Sequence, residues 1–103
     1  MKTDRELLEL AAKAAGVDLW GKTYMDGNYF YGDNRRWAPL TDDGHALRLA
    51  VKLKLCFGPN FDGDLAVCFG DNGENVTEGF GADPYAATRR VIVRAAAELG
   101  SQS

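Results

Sequence analysis

Soft metal ligands are scarce in this 103-residue chain: it has two cysteines, Cys56 and Cys68, and one histidine, His45. No C-x-x-C pair is present, so a zinc site lacks its ligands. Each cysteine sits in an apolar run that reads as a strand, and the expectation is two buried free thiols. No apolar stretch is long enough to cross a membrane. The opening Met1–Glu9 alternates charge with leucine instead of carrying the apolar stretch of a signal peptide. A cytoplasmic protein is expected, with the Asn75-Val76-Thr77 sequon incidental. There is no G-x-x-x-x-G-K-[ST] phosphate loop. Gly79-Phe80-Gly81 precedes a helix start, but Asp83 and Pro84 put a negative charge and a missing N–H there, which opposes an anion. Basic excess is absent too: the net charge is -3 and the pI about 5.0, so direct nucleic-acid binding is not expected.

What is present suits one globular domain over 1–103, with 1–2 and 101–103 as frayed ends. Hydrophobic residues make up 46% and charged residues 26%. Thr3 with Glu6 forms a capping box for a first helix, with Leu7, Leu10, Ala11 and Ala14 at helical spacing and Gly16 as its stop. Asp26-Gly27 predicts a hairpin between Lys22–Met25 and Asn28–Tyr31. Gly32-Asp33-Asn34 then opens a loop carrying Arg35, Arg36 and Trp37. A second helix begins at Thr41 or Asp42, with Ala46, Leu49, Ala50 and Leu53 as its buried stripe, widened by Leu47 and Val51. Short runs at Leu55–Phe57, Leu65–Phe69 and Val76–Phe80 read as strands. They are separated by turns at Gly58-Pro59-Asn60 and Gly70-Asp71-Asn72-Gly73. Leu65–Phe69, apolar at every position, is expected to be a central strand covered on both faces. Asp83-Pro84 starts a last helix with Val91, Ile92, Ala95 and Leu99 buried and Gly100 ending it. Ala86, Val93 and Ala97 fall outside that stripe and point to a second contact, with the rest of the domain or with another subunit. The order α-β-β-α-β-β-β-α makes an α+β sandwich, with three helices on one antiparallel sheet of four to five strands.

Three segments carry a family resemblance: TDRELLELAAKAAG (Thr3–Gly16), WAPLTDDGHALRLAVKL (Trp37–Leu53) and DPYAATRRVIVRAAAELG (Asp83–Gly100). They resemble small uncharacterised proteins encoded by phages and prophages, and the layout is similar to the phage ABA sandwich domain. The family pattern would put an acidic residue where His45 stands. The resemblance implies a phage accessory gene working in the cytoplasm of a bacterial host. It also implies a role against host defence, as an anti-CRISPR-type inhibitor of a host protein or as a sponge for a cyclic nucleotide signal.

Among candidate chemical groups, His45 stands one turn into a helix beside Asp42 and Asp43, a pair able to move protons but with no nucleophile placed by any motif. The acidic turns Asn60–Asp64 and Asp71–Asn75 lack the glycine position and bidentate Glu of a calcium loop. No metal and no cofactor is expected. The strongest binding set is Arg35, Arg36 and Trp37 with Tyr29 and Tyr31, joined by Arg90 and Arg94, which share a helix face. Arginine forks grip phosphates and aromatic rings stack on bases. The same residues also suit core aromatics with surface arginines. The expectation is a non-enzymatic binding protein. The alternative is a structural or assembly accessory forming homo-oligomers, a homodimer at the simplest, without a small ligand.

Overall fold

The computed structural model describes residues 2–32, 35–70 and 75–102. Asp33 and Asn34 of the expected loop, Asp71–Glu74 of the second acidic turn, Met1 and Ser103 lie outside the described residues.

Helix α1, Asp4–Ala15, starts at the expected capping box: the Thr3 hydroxyl accepts from the Glu6 amide at 3.2 Å, and the Glu6 carboxylate accepts from the Thr3 amide at 3.2 Å. Gly16 closes it at φ 72°, a left-handed conformation that costs glycine little. Strands β1 (Thr23–Met25) and β2 (Asn28–Phe30) form the predicted hairpin, with Asp26 at φ 54° and Gly27 at φ 82° as the two positive-φ turn residues.

Arg36 and Trp37, expected in a loop, instead form strand β3, which pairs antiparallel with β2 in the register Tyr29↔Trp37. The Tyr31 amide donates to the Arg35 carbonyl at 2.7 Å and closes the connection. With that edge of β2 taken, this small sheet is separate. β4 (Cys56–Pro59), β5 (Leu65–Phe69) and β6 (Asn75–Gly79) make a second antiparallel sheet in the order β4-β5-β6. Among the described residues the fold is therefore α+β with three helices, as expected, but with two three-stranded sheets and not one sheet of four to five strands. Gly58 and Pro59 belong to β4, and the reversal falls later. There the Asn60 side chain accepts from the amides of Asp64 (3.0 Å) and Leu65 (3.2 Å), which identifies this acidic segment as an Asx-type turn.

β5 is central but covered on one face only. Ala66 and Cys68 are buried with Val76 of β6, while Phe69 on the other face is exposed. Cys56 pairs with Phe69 and Cys68 with Phe57, so the thiols lie on opposite faces of the sheet, and Cys56 is exposed, not buried.

Helix α2 runs over Asp43–Leu53. Its cap is Asp42, whose carboxylate accepts from the His45 amide at 3.0 Å. Ala46, Leu49 and Ala50 are buried as expected, but Leu47 and Val51 do not widen the stripe; they face outward. Helix α3, Pro84–Ser101, is the centre of the molecule, packed against α1, α2 and the second sheet. Val93 and Ala97 are buried along with Val91, Ile92 and Ala95, so the second contact side of this helix is met within the domain. Gly100 does not end the helix. It lies inside the last turn, against the Leu10 carbonyl of α1, where a Cβ has no room. One core cluster joins all three helices to Tyr29 of β2 and to β5 and β6. No helix among the described residues is long and apolar enough to cross a membrane.

Candidate binding site

The residues singled out by sequence are spread over several parts of this frame. Tyr29 is only 3% exposed, and its hydroxyl donates to a Glu9 carboxylate oxygen at 2.6 Å, so it ties the small sheet to α1. Burial and then Glu9 raise its pKa above the ordinary tyrosine value. Tyr31 lies between two cations, the Lys22 ammonium 4.6 Å and the Arg35 guanidinium 5.1 Å from its ring centre. Arg36 pairs with Asp42 at 3.3 Å. Trp37 packs on the core with its outer part lining a cleft beside α2.

Arg90 and Arg94 line a different cavity of about 560 Å³, with Lys2, Leu7, Val76 and Glu78 among its walls. Both arginines are engaged there: Arg90 with Asp4 at 2.8 Å, Arg94 with Glu78 at 2.6 Å and with the Thr77 carbonyl at 2.9 Å. The last contact occupies an acceptor on the edge strand β6. Arg89 is structural as well, donating to the Leu40 carbonyl at 2.9 Å and to Asp43 at 2.7 Å, which fixes the start of α2 on α3. The Trp37 cleft and the Arg90–Arg94 cavity share no lining residue.

His45 and Asp42 are not arranged as a proton-transfer pair. The imidazole Nδ1 accepts from the Ala38 amide at 2.9 Å, while Asp42 is committed to the helix cap and Arg36. Neutral His45 therefore carries its proton on Nε2. Burial lowers its pKa; Asp42 opposes the shift, and Arg48 and Arg36 reinforce it. Asp42 is itself held below its usual range, first by the hydrogen bond from the His45 amide. Among the described residues no group of three or more His, Cys, Asp or Glu side chains could hold a metal ion.

Two features escaped the sequence pattern. Arg48 and Lys52 stand one turn apart on α2 and, with His45 and Trp37, surround the 120 Å³ cleft; neither has a carboxylate within ion-pair distance among the described residues. On the other flank of α2, Leu47 joins Phe57 and Tyr85 around an apolar groove of about 200 Å³ floored by Ala46 and Ile92. The i, i+4 spacing of Leu47 and Val51 was a usable signal, since an apolar pair beyond a complete core stripe has nothing left to pack on. No family model, curated protein or solved structure matches this sequence.

Proposed function

We propose that the protein is a non-enzymatic binding module that docks a protein partner in the groove between α2, β4 and the start of α3. One observation carries this: Leu47, Phe57 and Tyr85 are 51%, 40% and 71% exposed around a single apolar groove, and Val51, one turn on, is 69% exposed. Isolated exposed apolar residues are ordinary, but several gathered around a shaped depression mark a contact surface. Tyr85 supplies the amphipathic ring typical of interface anchors, and the cavity has room for one large apolar side chain from the partner.

Asp43 and Arg89 both line the groove and pair with each other at 2.7 Å, so the charge that bears on an occupant is the chain's net -3. It favours a partner segment with an apolar anchor flanked by Lys or Arg. The resemblance to small phage proteins makes a host defence protein the natural source of that segment, with inhibition by occupation as the mechanism. A cyclic-nucleotide sponge has less support, because Tyr29 is sealed in the core and Arg90 and Arg94 already hold carboxylates.

The test compares the wild type with Leu47→Asp and Tyr85→Ala as baits in bacterial extract. Any protein captured by the wild type is then purified and titrated directly. Support requires a purified partner whose affinity falls about tenfold or more in both variants and weakens with salt. Equal capture by all three baits refutes the groove. Concentration-dependent dimerisation of the wild type, lost in Leu47→Asp, would assign the groove to a second copy and refute the defence-protein partner.

A further inference from the structure

Trp37, His45, Arg48 and Lys52 converge from β3 and α2 on one cleft, closed on its far side by Ala15 and Val17 at the end of α1. Its charged side chains are basic. Two cations and one imidazole line it, none of its described lining residues is a carboxylate, and the partial negative charge at the carbonyl end of α1 is met by Lys52. The nearest acidic group bearing on His45, Asp42, is occupied by the α2 cap and by Arg36. Arg48 and Lys52 stand at i and i+4 on the helix, so both long side chains can reach the same cleft. The half-buried Trp37 supplies an aromatic wall, and apolar Ala15, Val17 and Leu49 lower the dielectric beneath the charges. At 120 Å³ the cleft is well below the size of a drug-like site, which starts at about 300 Å³. It accommodates a phosphate group, but not a nucleobase together with its sugar.

We propose that this cleft is a phosphate-group site, with Arg48 and Lys52 pairing the oxyanion, the His45 Nε2–H donating to it, and Trp37 standing beside whatever bears it. Lys52 has a second duty: its ammonium lies 4.0 Å from where a Gly16 Cβ would stand, over the carbonyl end of α1. Arg48 is therefore the cleaner residue to change. The site shares no described lining residue with the groove of Leu47, Phe57 and Tyr85, so the two proposals stand or fall separately.

The single histidine gives a direct readout. Bound phosphate raises the His45 pKa, because an anion at Nε2 favours the imidazolium against the lowering by burial, Arg48 and Arg36. The experiment follows the His45 ring signals by NMR while inorganic phosphate, and separately adenosine monophosphate, is titrated against sodium chloride of equal ionic strength. The expected result is a saturable shift below about 10 mM phosphate with an upward move in the His45 titration midpoint. Arg48→Gln should weaken it about tenfold or more while leaving the amide spectrum folded. Tighter binding of the nucleotide than of phosphate, with a shift at the Trp37 indole, would identify a phosphomonoester as the source; equal binding would identify free phosphate. A His45 signal that moves no more with phosphate than with chloride, or that responds undiminished in Arg48→Gln, overturns the assignment.

Discussion

Gly100→Ala sets two magnitudes of opposite sign against each other. In an exposed helix interior, replacing glycine by alanine stabilises by about 1 kcal/mol. At position 100, however, the added Cβ would stand 2.7 Å from the carbonyl carbon of Leu10, 3.2 Å from its Cα and nearer still to its oxygen. These are backbone atoms of α1, and no side-chain rotation relieves the clash. Restoring an ordinary separation of about 3.5 Å from the Leu10 oxygen requires α1 and α3 to part by roughly 1.5 Å, which forfeits about half or more of each contact across their seam. The other relief is to unwind the end of α3, which Gln102 caps only two residues later. Overpacking of this kind costs about 1–3 kcal/mol. Backbone on both sides of the clash puts the cost at the upper end of that range, so, set against the propensity gain, the net expectation is a loss of about 2 kcal/mol, or about 8–16 °C in Tm for a domain of this size. Urea unfolding followed by circular dichroism, with a thermal scan beside it, measures both. The same substitution at Gly44 in α2, where the near atoms belong to the Asp42 and Arg48 side chains and not to backbone, should change stability by less than about 1 kcal/mol. A Gly100→Ala protein as stable as the wild type, or more so, would refute the close approach of the two helices.

Three further expectations concern other parts of the frame. Leu8, fully buried between helices, should cost about 3 kcal/mol when changed to alanine, read from the urea midpoint; a loss under about 1 kcal/mol would mean that the core closes over the cavity. Lys54 ends α2 at φ 58°, a left-handed conformation costing a non-glycine residue about 1 kcal/mol, so Lys54→Gly should raise the thermal midpoint slightly despite its looser unfolded chain. His45 has a folded-state pKa below its ordinary value of about 6.5, so the unfolded chain takes up the proton first as pH falls. Stability contributed by the neutral imidazole is complete above that value and declines through the window between it and the lower folded pKa. His45→Asn, which can still accept from the Ala38 amide, should flatten the stability profile as pH falls below about 6.5.

Local chemistry was legible wherever it is self-contained. The Thr3–Glu6 box, the Gly16 stop, the Asp26-Gly27 turn and the Asp83-Pro84 start each satisfy backbone groups or φ requirements within a few residues. All were therefore readable from spacing alone, as was the α+β class that follows from the order of elements. Long-range packing was not readable. Gly100 has the composition of a helix stop, yet it is a helical residue because α1 crosses there, and only a crossing backbone distinguishes the two roles. Arg36 and Trp37 have no strand signature of their own; the free edge of β2 recruits them and splits the strands into two sheets. Leu47 and Val51 look like core on a helical wheel, but the core stripe was already complete with Ala46, Leu49 and Ala50. Arg48 and Lys52 look like a solvated flank until β3 brings Trp37 beside them. The sequence by itself determined the caps, the turns and the helical and strand propensities, because those energies act over one to four residues. The tertiary structure alone decided which edges pair, which faces remain open and which charges meet, because those depend on segments tens of residues apart arriving at the same place.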